Sequence, residues 1–140
     1  MTTESHDALL PVPDEVTKPW WDATIGRKLM IQCCEECGNC QHYPRALCIK
    51  CSSWSLGWIH AAGRGVIDSY TTVFRAPNPA FQAPYIIARV RLDEGPTLLT
   101  KIVGCAESML SCGQPVSLDW EPLPDGHNLP VFRPINISDK

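Results

Sequence analysis

Six of the chain's eight cysteines lie between positions 33 and 51, and they are its most chemically capable group. They are Cys33, Cys34, Cys37, Cys40, Cys48 and Cys51; Cys105 and Cys112 stand far downstream. Cys34-x2-Cys37 and Cys48-x2-Cys51, ten residues apart, supply four thiolates, the closed donor set of a structural zinc site. A Cys-x2-Cys knuckle is a tight turn that aims both sulfurs at one ion. Gly38 suits the turn after the first knuckle, because glycine accepts a positive φ. Ser52 holds the same place after the second and suits it less well. Cys37-x2-Cys40 is also a legal pair, and Cys33 adjoins Cys34, so spacing leaves the register open. The pairing through Cys34 and Cys37 leaves room for a hairpin, 39–47, between the knuckles. Iron in a rubredoxin-like site is the alternative metal. Four protein ligands leave no open position for water or substrate, so the expected role is folding rather than catalysis.

Other reactive residues form weaker constellations. A nucleophilic site needs a nucleophile, a base and an orienting group within hydrogen-bond reach. Cys105 or Cys112 with His60 or His127 is the available combination, and nothing in its spacing favours it. Both cysteines read as small core residues, and His42 as a solvated hairpin residue. The chain is therefore expected to have no chemistry of its own. Arg45, Arg64 and Arg75 are side chains able to grip a phosphate in bidentate fashion. The segment 75–85 carries Arg75, Phe81 and Tyr85 among Pro77, Pro79 and Pro84. Prolines lower the entropy cost of holding a loop in one shape, and aromatic and arginine anchors typify interface hot spots. This loop is expected to face a partner. Of the adjacent Trp20 and Trp21, one is expected in the core and the other at a partner.

These residues must be positioned by 140 residues with thirteen prolines, 44% apolar and 19% charged content, and net charge −3. That composition excludes a disordered tail. It also argues against nucleic-acid binding, which needs clustered Lys and Arg. Residues 59–140 carry seven Lys or Arg against eight Asp or Glu, with no basic run. The polar N-terminus does not read as a signal peptide, and no run approaches the roughly 18 apolar residues of a membrane span. The expectation is a soluble cytoplasmic chain without a membrane partner, whose cysteines are ligands or free thiols rather than disulfides.

Val16, Trp20 and Ala23 lie at helical spacing, which predicts a short helix over 18–26, with Asp14 as a possible cap and Gly26 near its end. Leu29–Ile31 reads as a strand entering the first knuckle. Strands follow at 66–74, 86–92, 97–103, 116–121 and 129–133, with a short helical turn within 104–113. Ile86, Ala88, Val90 and Leu92 alternate with Ile87, Arg89, Arg91 and Asp93, which marks a half-buried strand. Five strands with a helical turn between the third and fourth is the order of an OB-fold; a β-sandwich is the fallback. The reading is mainly β: an N-terminal helical arm (1–31), a rubredoxin-like zinc ribbon (32–58) and a five-stranded OB-fold barrel (59–140).

The ordered pieces Trp20-Trp21-Asp22, Leu29-Met30-Ile31-Gln32, Cys34-x2-Cys37-Gly38, Tyr43-Pro44-Arg45 and Leu47-Cys48-x2-Cys51 carry a family resemblance. So do Gly63-Arg64-Gly65-Val66, Arg75-Ala76-Pro77, Ala83-Pro84-Tyr85, Leu92-Asp93-Glu94-Gly95-Pro96 and Pro130-Val131-Phe132-Arg133-Pro134. From about residue 14 onward the chain resembles the acyl-CoA-associated zinc-ribbon/OB-fold family. The resemblance implies the register Cys34, Cys37, Cys48, Cys51 and a structural zinc. It also implies a non-catalytic accessory subunit, in hetero-oligomers with a thiolase-fold partner that acts on acyl-CoA. Trp20, Trp21, Arg75, Phe81 and Tyr85 would then face that partner or the CoA. Cys33, Cys40, Cys105 and Cys112 depart from the family pattern. Zinc ribbons and OB-folds also occur in nucleic-acid-binding modules, which is the competing reading.

Overall fold

The computed structural model describes residues 10–77 and 82–135. Among the described residues a single short helix, α1 (Lys18–Ile25), precedes eight strands. The Asp14 carboxylate starts it from outside, accepting the N–H groups of Val16 and Thr17 and the Thr17 hydroxyl at 2.9–3.1 Å. Pro19 sits in the first turn, where a missing N–H costs nothing. The helix ends as expected, but the left-handed residue is Arg27 (φ 57°), not Gly26. The most deeply buried positions are Thr17, Trp20 and Thr24 rather than Val16 and Ala23. Burying threonine is tolerated because each hydroxyl is bonded. Thr24 donates to the Trp21 carbonyl at 2.6 Å and accepts the Asn128 N–H, while its own carbonyl accepts the Asn128 amide at 2.8 Å. The arm is thereby fastened to the last strand, 104 residues away.

The ribbon is a three-stranded antiparallel sheet in the order β2 (Cys40–Gln41), β1 (Met30–Cys34), β3 (Leu56–His60). Residue 59, where the barrel was expected to begin, lies within β3, which pairs with β1 from Met30↔His60 to Cys34↔Leu56. A ribbon this small has little room for an apolar interior, and an amide network holds it as well. Gln41 donates to Gln32 at 2.7 Å, and Gln32 exchanges bonds with the Arg45 backbone at 2.9 Å. Gln41 also takes the Ile49 N–H and reaches the Leu47 carbonyl. Opposite those glutamines, Cys33 and Cys40 are joined as a disulfide, which corrects the expectation of free thiols. They are direct register partners across β1 and β2, with Cα atoms 4.0 Å apart. A pairing decided by strand register is invisible in the spacing of the cysteines.

The second unit is a closed barrel of β4 (Arg64–Val73), β5 (Tyr85–Leu92), β6 (Thr97–Ile102), β7 (Pro115–Pro122) and β8 (Asn128–Pro134). Its order, β4-β5-β6-β8-β7, with β7 returning to β4, is the Greek-key barrel of the OB-fold and excludes the sandwich. A 3-10 turn, Glu107–Met109, stands where the helical turn was expected. The alternation along β5 holds: Ile86, Ala88, Val90 and Leu92 are buried. They pack with Ile67, Leu98, Ile102, Val116 and Phe132 in a core that also takes in Trp20, Leu29 and Ile31. Among the described residues no helix is long and apolar enough to cross a membrane.

Closure passes through Gly65, which pairs with Leu92 on one side and Val116 on the other. A Cβ there would stand 2.5 Å from the Arg91 carbonyl oxygen and 2.9 Å from Val90 Cγ1. The nearer obstacle is backbone and cannot swing away. Gly65→Ala should therefore lower stability by about 1–3 kcal/mol, the range for overpacking. Urea denaturation measures this, and an unchanged midpoint would contradict it.

Candidate functional site

The two knuckles bring the four expected ligands together. The sulfurs of Cys34, Cys37, Cys48 and Cys51 lie within 4.8 Å of one another, the only such metal-capable group among the described residues. Cys34 and Cys51, and likewise Cys37 and Cys48, are 3.6 Å apart. A tetrahedral zinc with Zn–S bonds near 2.3 Å separates its sulfurs by about 3.8 Å, so the tetrad fits that ion. Each knuckle closes with a backbone bond, Gly38 N–H to the Cys34 carbonyl and Ser52 N–H to the Cys48 carbonyl. Gly38 (φ 79°) and Ser52 (φ 66°) both take the left-handed turn, so the serine fills the glycine's role despite its Cβ.

Amide groups pre-polarise the sulfurs. The Cys37 N–H, helped by that of Glu36, lies 3.4 Å from Cys34 Sγ and lowers that thiol's pKa. The Cys51 amide, helped by that of Lys50, brings Cys48 down to about 6. At Cys51 the Ser53 amide favours the thiolate, but burial and three neighbouring sulfurs outweigh it and push the pKa to about 12. Four sulfurs gathered this closely form the donor set of a bound cation.

Beside the ribbon, the arm and barrel enclose a groove of about 770 Å³, a size typical of small-molecule sites. Its walls include Trp20 and Trp21 of α1, His42 and Tyr43 after β2, and Tyr85 and Leu98 of the barrel. Trp20 is only 4% exposed and meets Trp21 edge to face at 4.7 Å, with His42 and Tyr43 each at 5.6 Å. Trp21 is half-buried and donates its indole N–H to the Tyr43 hydroxyl at 2.6 Å. Trp20 thus enters the core, as one of the two was expected to, while Trp21 packs against that core and lines the groove. Lys101 and Glu121, paired at 2.8 Å, also line the groove.

Other expectations change. His42 is not solvated: its ring packs between Trp20 and Tyr43, and its Nδ1 is buried without a hydrogen bond among the described residues. Cys112 is exposed rather than in the core, whereas Cys105 packs against the core and burial raises its pKa. Arg45, Arg64 and Arg75 are exposed, and Phe81 lies outside the described residues. The sequence reading passed over Ile49 and Trp54, which are 65% and 78% exposed around the second knuckle. The available signal was a tryptophan within an otherwise polar Ser52-Ser53-Trp54-Ser55 run.

Burial holds the His42 pKa near 4, below the ordinary 6.5. Below pH 6.5 the unfolded chain takes up a proton here that the folded chain refuses, so stability falls as pH drops from about 6.5 to about 4. The full loss attributable to His42 is roughly 3 kcal/mol. The difference in acid-side stability between the protein and His42→Gln, measured by urea denaturation across that window, should show it. Parallel profiles for the two proteins would refute it.

Residues 21–56 match the family model described as the ChsH2 rubredoxin-like zinc ribbon domain, and residues 58–121 match that of the ChsH2 C-terminal OB-fold domain. A probable enoyl-CoA hydratase alpha subunit of Thermomonospora curvata is 41% identical over 135 residues, covering 95% of this chain and 42% of that protein. A DUF35 domain-containing scaffold protein of Methanothermobacter thermautotrophicus is 33% identical over 88 residues, covering 61% of this chain and 65% of the relative. A chain of the solved Ltp2-ChsH2(DUF35) aldolase is 38% identical with a TM-score of 0.82, covering 89% of this chain and 98% of that one. The present chain therefore spans about two fifths of the length of the hydratase subunit it matches.

Proposed function

The chain belongs to the ChsH2 family of zinc-ribbon and OB-fold proteins, and from that premise we propose that it is a non-catalytic accessory subunit of a thiolase-like enzyme acting on acyl-CoA. The single observation carrying this reading is the near full-length likeness to the DUF35 chain of a solved aldolase complex. The tetrad would hold a structural zinc, because its four protein ligands leave the ion no vacancy for substrate. The ion's contribution is to fix the ribbon, and this chain's residues do the rest. The ribbon displays Ile49 and Trp54, large apolar side chains of the kind that anchor interfaces. The elevated pKa of half-buried Cys105 weighs against a thiolate nucleophile there. Trp21, Tyr85 and Arg75 would meet the partner or its thioester substrate, a reading supported for Trp21 and Tyr85 by their position on the groove.

The test is co-expression with a thiolase-fold enzyme encoded beside this chain. A stoichiometric complex should elute, and acyl-CoA turnover should require that enzyme. Trp54→Ala should weaken the complex at least tenfold, as interface hot spots do, without loss of zinc. Turnover of a thioester by this chain alone, abolished by Cys105→Ala or Cys112→Ala, would overturn the reading. So would failure of the two chains to associate.

A further inference from the structure

We propose that Cys33 and Cys40 form a reversible, redox-responsive cross-link, distinct from the metal tetrad, that fastens β2 and the His42–Tyr43 wall of the groove to β1. Three features of the ribbon carry this. The two cysteines are direct register partners across β1 and β2, so the pairing of the strands sets them side by side. They lie on the face opposite the Gln32–Gln41 amide network, while Cys34, Cys37, Cys48 and Cys51 gather around a common centre of their own. The six sulfurs are thus sorted by fold into a tetrad and a pair. Finally, β2 is only two residues long and pairs with β1 at two positions, so the covalent rung is a large share of what holds it.

The position of that rung gives it a consequence. Cys40 is two residues before His42 and three before Tyr43, whose hydroxyl accepts the Trp21 indole N–H. Untying β2 frees the strand that delivers both rings to the groove. The chemistry is exchange with a low-molecular-weight disulfide such as glutathione disulfide. The Cys33 and Cys40 thiols lose two protons and two electrons, and the bond between their sulfurs forms. The small disulfide's S–S bond breaks, and two small thiols leave with those protons and electrons. Excess small thiol runs the exchange backwards.

The full-length, zinc-loaded protein is equilibrated in glutathione buffers of graded oxidised-to-reduced ratio, quenched in acid, alkylated and mapped by mass spectrometry. The Cys33 and Cys40 peptides should pass from doubly alkylated to cross-linked along the series while zinc content stays constant. Hydrogen exchange at the amides of residues 41–43 and 45 should slow on the order of tenfold in the cross-linked form. Cys33→Ala and Cys40→Ala should each remove this dependence and keep the metal. Thiols at 33 and 40 that stay alkylatable at every ratio would overturn the proposal. Cross-links that draw in Cys34 with loss of zinc, or exchange indifferent to the redox state, would do the same.

Discussion

Removing the metal, by chelation or by Cys48→Ser, is expected to unfold the ribbon. Structural zinc in small fingers contributes apparent binding energies of about 10–16 kcal/mol, as much as the whole stability of an ordinary domain. The ribbon has few substitutes for that contribution. Its sheet is three strands of five, five and two residues, and beyond Leu29 and Ile31 its interior is largely hydrogen-bonded glutamine. Cys48 is 2% exposed, so without an ion its sulfur remains buried among three others. Metal analysis should show the loss, and hydrogen exchange should show amides of β1 to β3 unprotected. The barrel, whose strands supply most of the common core around Phe132 and Val90, should retain slow exchange. A metal-free protein with a fully protected ribbon would refute the expectation.

Trp20→Ala is expected to cost about 3–5 kcal/mol, the range for truncating a large buried aromatic residue. The side chain is 4% exposed and joins the arm to the ribbon's His42 and Tyr43 and to the common core. Its loss removes apolar contact from all of these at once. What remains to hold α1 is the Thr24–Asn128 pair of bonds together with the contacts of Trp21 to Tyr43 and His127, so the arm should also fray in hydrogen exchange. Trp20→Phe should cost much less. It keeps most of the ring volume and deletes an indole N–H that has no hydrogen-bond partner among the described residues. Urea denaturation of the two variants distinguishes the cases, and a loss below about 1 kcal/mol for the alanine variant would show that the arm docks by other means.

The tetrad was legible in the residues because a knuckle is a local object. Both sulfurs and the turn that aims them lie within a few positions, so the Cys-x2-Cys pairs announce a four-thiolate site, while the choice of Cys34 and Cys37 over Cys37 and Cys40 rested on the family resemblance. The same holds for β5, where alternation reports which face is buried before any neighbouring strand is known. The closing of the barrel was legible only as far as the order of its strands suggested it. The contact that lays β8 beside β6, Ile102↔Phe132, joins residues thirty positions apart and leaves no periodic mark.

His42 shows the limit most plainly. In sequence it is a polar residue between two knuckles, yet packing by Trp20 from the arm removes it from water. Cys33 and Cys40 show it again, since adjacency to a ligand says nothing about the partner across the sheet. By itself, then, the sequence determined that four cysteines form a metal site, the mainly β class and the inward faces of the strands, all properties set within a few residues of chain. The tertiary structure alone decided which cysteines pair, which tryptophan is enclosed and that a groove exists. Those depend on the register and closure that bring residues near 20, 42, 85, 98 and 130 into contact, and such long-range contacts arise only when separate local elements pack together.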